Sequence, residues 1–189
     1  PAAEEVRARV RAATGADAFR QLPHGVELAG RTEFQKMPGT FRLRLHADGR
    51  YAEVIDTRVG QARGFDGKTR WVKSLTGPAL PADLADGDLY RLHYAVLAHR
   101  WLAPDAGYTV TTDPGENRAY RPCLVLRHPE IRGVAARVYV DPATWLPTRF
   151  SVFLGGGESV VELADWKDVS GAKVPGRVAV GAHGGGYVL

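Results

Sequence analysis

The sequence is poor in sulfur. It has one cysteine, Cys123, and one methionine, Met37. A single cysteine excludes an internal disulfide and a four-cysteine metal site. Long apolar runs are also missing, and no stretch approaches the ~18 residues of a membrane-spanning helix. Lysine is scarce, so arginine supplies nearly all of the positive charge behind a formal net charge of +4. Basic and acidic residues are interleaved, with no block of five or six like charges. That mild balance, with no nucleic-acid motif behind it, argues against a nucleic-acid partner.

Motifs of chemistry are missing too. The six histidines are His24, His46, His93, His99, His128 and His183. No two have the i, i+4 spacing of a helical zinc site. No Gly-x-Ser-x-Gly elbow surrounds Ser74, Ser151, Ser159 or Ser170. The glycines follow no phosphate-loop spacing. Asp-Gly occurs at Asp48, Asp66 and Asp86 without the intervening Thr or Ser of an aspartic protease, and at Asp66 it reads as turn chemistry. Cys123 sits in the apolar run Cys-Leu-Val-Leu and reads as a buried, inert thiol. No catalytic residue, metal ligand or cofactor is therefore expected.

What is present is a core. A chain of 189 residues, 44% hydrophobic, reads as one domain over residues 1–189. Pro1 follows neither a methionine nor a basic-then-apolar signal, so the chain is expected to be processed or trimmed, its signal already removed. The most periodic stretch is 88–102. Leu89, Leu92, Val96 and His99 form one stripe, and Tyr90, Tyr94, Leu97 and Trp101 the next. Together they exceed the roughly 100° face of a surface helix. Asp88 after Gly87 is the expected N-cap, and Ala103-Pro104 the expected stop. Such a helix needs apolar contact on more than one side.

A second helix is expected over 2–13, with acids Glu4 and Glu5 in its first turn and Gly15 as its stop. A short helical turn follows from Asp17. The period then changes to two. Strands are expected over 26–35, 41–45, 51–58, 60–65, 69–75, 108–112, 120–126, 134–140, 148–154, 159–166 and 177–180, and an edge strand from Tyr187 to the end. Turns are expected at Met37-Pro38-Gly39, Ala47-Asp48-Gly49, Asp66-Gly67, Asp113-Pro114-Gly115, Asp141-Pro142 and Gly155-Gly156-Gly157. Residues 77–81 break the sheet, and 81–85 form a short helical turn. The fold class is mainly β with helices (α+β). About ten to eleven antiparallel strands curl into an open barrel, a half-pipe, with helices on its concave face.

Phe41, Phe65, Trp71, Tyr90, Tyr94, Trp101, Tyr139, Trp145, Phe150, Phe153 and Trp166 are candidates for its interior. Each reads either as core packing or as the lining of a cavity for an apolar ligand.

Three segments carry a family resemblance. They are Gly64-Phe65-Asp66-Gly67-Lys68-Thr69-Arg70-Trp71, Val138-Tyr139-Val140-Asp141-Pro142-Ala143-Thr144-Trp145-Leu146-Pro147, and Val169-Ser170-Gly171-Ala172-Lys173-Val174-Pro175. In this order, around a helical insert, they resemble the bacterial lipoprotein-localisation (LolA/LolB-like) superfamily. The motifs are mostly turn signals and specify fold more than function. The resemblance implies a half-pipe with lid helices over an apolar cavity, and a carrier of lipid or lipoprotein acyl chains in the periplasm or at the cell surface. The chain lacks the N-terminal cysteine of lipid-anchored receptors, and no family arginine is carried over to it.

The leading expectation is a non-enzymatic, periplasmic or exported binding domain for an apolar or acyl ligand. Phe41, Leu43, Phe65, Trp71, Tyr90, Tyr94, Leu97 and Trp101 would line its site. Peripheral contact with membrane or with further domains of the same chain is expected. The rival is an accessory or substrate-presenting domain of a larger exported enzyme such as a protease, with its interior filled by its own side chains.

Overall fold

The structure, a computed structural model, describes residues 1–189 except 75, 83, 155–156, 182–184 and 189. His183, Leu75, Asp83, Leu189 and the Gly155-Gly156 part of an expected turn lie outside the described residues.

Two helices come first, α1 (Ala3–Thr14) and α2 (Ala16–Gln21). Val6 and Val10, one turn apart, bury one stripe of α1 completely. Gly15 ends α1 in the left-handed conformation, φ 62°, and its N–H returns to Ala12 and Arg11 carbonyls. A Cβ there would stand 1.9 Å from the Gly171 carbonyl oxygen, so both conformation and space require glycine.

Six strands follow: β1 (Val26–Phe34), β2 (Met37–Leu45), β3 (Tyr51–Asp56), β4 (Gln61–Phe65), β5 (Arg70–Ser74) and the two-residue β6 (Leu80–Pro81). After them come α3 (Leu84–Leu97) and two short 3-10 turns, Arg100–Leu102 and Pro104–Ala106. The remaining strands are β7 (Thr109–Thr112), β8 (Cys123–His128), β9 (Ile131–Val140), β10 (Pro147–Leu154), β11 (Gly157–Ala164), β12 (Lys167–Val169), β13 (Ala172–Val174), β14 (Arg177–Val180) and β15 (Gly185–Val188).

Thirteen strands form one antiparallel sheet in the order β6-β5-β4-β3-β2-β1-β15-β14-β11-β10-β9-β8-β7, and β12–β13 is a separate hairpin. The fold class is the expected one, an open barrel whose end strands β6 and β7 are not joined, with more strands than periodicity alone gave. Several expectations are corrected. The final strand does not lie at an edge. It pairs with β1 through Val188↔Arg31 and with β14 through Val188↔Arg177, and so joins the two halves of the sheet. The first hairpin turns at Gln35-Lys36, both left-handed, rather than at Met37-Pro38-Gly39. This is a two-residue loop of the type that matches strand twist. Leu80-Pro81 does not break the sheet but extends it as an edge, where proline is tolerated. Among the described residues no separate helical turn precedes α3.

α3 begins at Leu84, so Asp88 is not its cap, and its regular turns end at Leu97 rather than Leu102. His99 takes the left-handed conformation, φ 54°, and its ring Nε2 lies 2.6 Å from the Lys173 carbonyl oxygen. That contact with β13 redirects the chain into the 3-10 turn carrying Trp101. The apolar side of α3 packs on β9 and β10, with Leu92, Val96, Leu97 and Trp101 buried alongside Phe150, Val138 and Ala136.

Candidate functional site

Opposite residues in a sheet share a face. One such row crosses the first six strands on the inner, helix-covered face: Leu28, Leu43, Glu53, Arg63, Val72, Leu80. Its character changes along the way. Leu28 and Leu43 are buried core. Glu53 and Arg63 are buried and charged. Val72 and Leu80 are apolar and exposed, at 37% and 57%. Along this row the inner face is covered at β1 and β2 and left open at β5 and β6.

The buried pair lies beneath α3. Arg63 Nε stands 3.1 Å from Glu53 Oε2, and the guanidinium lies 4.0 Å from the centre of the Tyr90 ring. The Tyr94 hydroxyl donates to the Glu53 carboxylate, and the Tyr94 ring lies 4.1 Å from that of Tyr51. Burial raises the Glu53 pKa above the ordinary carboxylate value, against the pull of Arg63 and Tyr94. The His93 ring packs edge-on against Phe150 at 5.1 Å. Burial, helped by Arg63, drives its pKa down to about 3. The two sides of α3 therefore differ. Toward β9 and β10 it packs hydrocarbon, and toward β3–β5 it meets rings and ionised groups.

At the hairpin end of β4 and β5 a cleft of about 560 Å³ opens beside α3. Phe65 and Tyr108 supply apolar wall, and Lys68, Arg70, Arg91 and Arg100 supply positive charge. Arg70 Nη2 is 2.9 Å from Asp88 Oδ1, which explains that aspartate: it pairs across to the sheet from inside the helix. Arg91 crosses the Phe65 ring at 4.8 Å and reaches the Glu130 carboxylate at 3.1 Å. Arg100 donates to the Ala47 carbonyl oxygen at 2.7 Å. Asp66 does turn chemistry as expected, since its Oδ1 accepts from the backbone N–H groups of Lys68 and Thr69 at 2.8 and 2.6 Å. Those two bonds hold its carboxyl below the usual range.

The eight expected lining residues are distributed unevenly. Phe41, Leu43, Tyr94, Leu97 and Trp101 are on the inner side but at most 4% exposed, packed into the core. Phe65 and Tyr90 are half-buried at the cleft and beside Arg63. Trp71 is on the other face. It pairs with Gly64, and a Cβ on that glycine would meet the Trp71 ring at 2.5 Å. Tyr139 and Phe153 do not face the interior either: they stand on the outer face, where Arg121 and Arg149 lie over Tyr139 and Arg137 over Phe153. The charged members Glu53, Arg63, Arg70 and Arg91 were not singled out from sequence. For Glu53 and Arg63 the available signal is strand parity with Tyr51 and Phe65.

Cys123 is buried on that outer face, and burial pushes its thiol up to about 12. His128 Nε2 is 3.0 Å from the Ala106 carbonyl oxygen. Among the described residues no three metal-ligating side chains gather.

No protein-family model matches the sequence, and no curated protein matches it. Solved structures do. A LolA superfamily protein from Nitrosomonas europaea superposes with a TM-score of 0.56 at 16% identity, over 100% of this chain and 90% of that one. A DUF1329 family protein from Desulfovibrio piger gives 0.52 at 9% identity, over 97% and 89%. The thirteen-stranded open sheet with α3 on its inner face is the LolA-like fold.

Proposed function

We propose that this chain is a non-enzymatic binding domain of carrier type for an apolar or acyl ligand, lipid or lipoprotein, in the bacterial cell envelope. The observation that carries the reading is the row across the inner face. An interior serving only as core would cover its apolar residues to the last strand, whereas Val72 and Leu80 stay exposed in the row that continues from Arg63, at the side where α3 is held by polar and aromatic contacts. The LolA-like fold supports the same reading, because the resemblance implies acyl-chain carriers. The ligand would lie along β4–β6, against Phe65, Tyr90, Val72 and Leu80. Phe41, Leu43, Tyr94, Leu97 and Trp101 form the apolar ground beneath it, reached when α3 parts from β3. Native mass spectrometry after gentle extraction from a bacterial host tests this. A lipid-mass adduct, and saturable binding of a fluorescent fatty acid, are expected. A clean apo spectrum with no fatty-acid binding would remove the proposal.

A second reading has its own observation. Trp101, Leu97 and Leu43 are at most 1% exposed, so the interior under the carboxyl end of α3 is already filled. An accessory domain of a larger exported enzyme needs no more than that. Fatty-acid binding separates the two.

A further inference from the structure

The cleft beside α3 is not charge-balanced. Three carboxylates line it with the four cations: Asp48, Asp105 and Glu130. Two of them have arginine partners from outside the cleft, Arg50 on Asp48 at 2.8 Å and Arg20 on Asp105 at 3.0 Å. Glu130 pairs with Arg91, and Asp88 with Arg70. Among the described ion pairs this leaves Lys68 and Arg100 without a paired carboxylate. Asp66 keeps its charge and acts on Lys68 through space, so Arg100 carries the excess.

Donor geometry points the same way. The Nε–H groups of Arg70 and, one position deeper on the inner face, Arg63 are buried and meet no acceptor. Arg63 Nε is close to Glu53 but not aligned for a hydrogen bond. A buried N–H without an acceptor is costly, and Arg70, which lines the opening, has one to offer an oxygen-rich anion. The walls suit an amphiphile, because Phe65 lies under Arg91 and leads along β4 toward Tyr90, Val72 and Leu80.

We propose that this cleft binds the anionic head, a carboxylate or phosphate, of an amphiphile, through Lys68, Arg70, Arg91 and Arg100, with the tail running past Phe65 and Tyr90 to the exposed Val72 and Leu80. The inference rests on the carrier reading for the tail and on the cleft alone for the head. Glu130 pairs with Arg91 and is displaced when the head arrives. Its side chain is 71% exposed, so it is easily released into water.

Calorimetric titration with dodecanoate, 1-dodecanol and inorganic phosphate tests the head and tail separately. Dodecanoate should bind about tenfold more tightly than the alcohol. Lys68→Ala combined with Arg91→Gln should erase that preference. Glu130→Gln, a surface change that frees Arg91, should tighten dodecanoate a few-fold, a gain that misfolding cannot mimic. Equal binding of acid and alcohol, or an acid preference that none of these variants moves, overturns the headgroup site and leaves the carrier reading standing. Phosphate binding as tightly as dodecanoate, with the same response to the variants, supports the anion site and ends the acyl reading. No binding of any of the three overturns both.

Discussion

His99 shows how much one side chain decides. Its Nε2 carries the proton donated to the Lys173 carbonyl, and its Nδ1 is buried without a partner. Burial puts its pKa near 4 in the folded chain. The unfolded value is about 6.5, so the unfolded chain takes up the proton first. Stability from this group is complete above pH 6.5 and is lost as the pH falls from there toward 4. The loss at pH 5 is roughly 2 kcal/mol. His99→Asn keeps a residue that tolerates positive φ and removes the titration. Urea midpoints at pH 7 and pH 5 should differ less in the variant than in the parent. His93 and Glu53, the latter acting with opposite sign, are common to both proteins and cancel in that comparison. The Glu53–Arg63 pair gives a second expectation. Arg63→Met alone leaves a buried carboxylate and should cost about 3–5 kcal/mol. Adding Glu53→Leu should recover most of that loss in the same denaturation assay. A double variant no more stable than the single would show that the pair is not the unit.

Elements differ in how openly the sequence states them. α1 is the plainest, since two valines a turn apart, acids at the start and glycine at the end all agree. Gly15→Ala should cost at least about 2 kcal/mol in chemical denaturation, because it combines left-handed strain with a collision at Gly171. Alternation gives the facing of β1 and β2 correctly, with Val26, Leu28, Phe41, Leu43 and Leu45 inward. It failed where a stronger local signal competed. Pro38-Gly39 looks like a turn, yet the bend is made by Gln35 and Lys36, residues with no turn chemistry. Asp88 after Gly87 looks like a cap, but its partner is Arg70 on another element, and sequence does not show distant partners. Trp71 was assigned inward for being aromatic, although the four residues between β4 and β5 give it the parity of Gly64 and not of Phe65. The candidate site was legible as an aromatic and apolar interior. Its ionised members were not, because a buried Arg or Glu looks like a surface residue until its partner across the sheet is known.

For the whole molecule the question is where a ligand finds enough apolar contact. A micromolar ligand needs about 8 kcal/mol, or roughly 330 Å² of apolar area at ~25 cal/mol per Å² before the costs of association. Val72 and Leu80 do not supply that area alone. The rest must come from Tyr51, Phe65, Tyr90 and Tyr94, along the seam between α3 and β3–β5. The opposite side of α3, with Leu92 and Val96, packs on β9 and β10 and would cost far more to open, so the helix should hinge on that side and part from β3. Binding then draws on a minor open form, and the apparent dissociation constant is the intrinsic one divided by the open fraction. Tyr94→Phe removes the hydroxyl that ties α3 to Glu53 and keeps the ring against Tyr51. A hydrogen bond to a charged acceptor is worth about 1.5 kcal/mol or more. The variant should therefore unfold at lower urea and yet bind a fluorescent fatty acid up to about tenfold more tightly. Opposite movements of stability and affinity are the mark of a seam that must part. A folded Tyr94→Phe protein with unchanged or weaker binding would place the ligand elsewhere, on a surface that α3 does not cover.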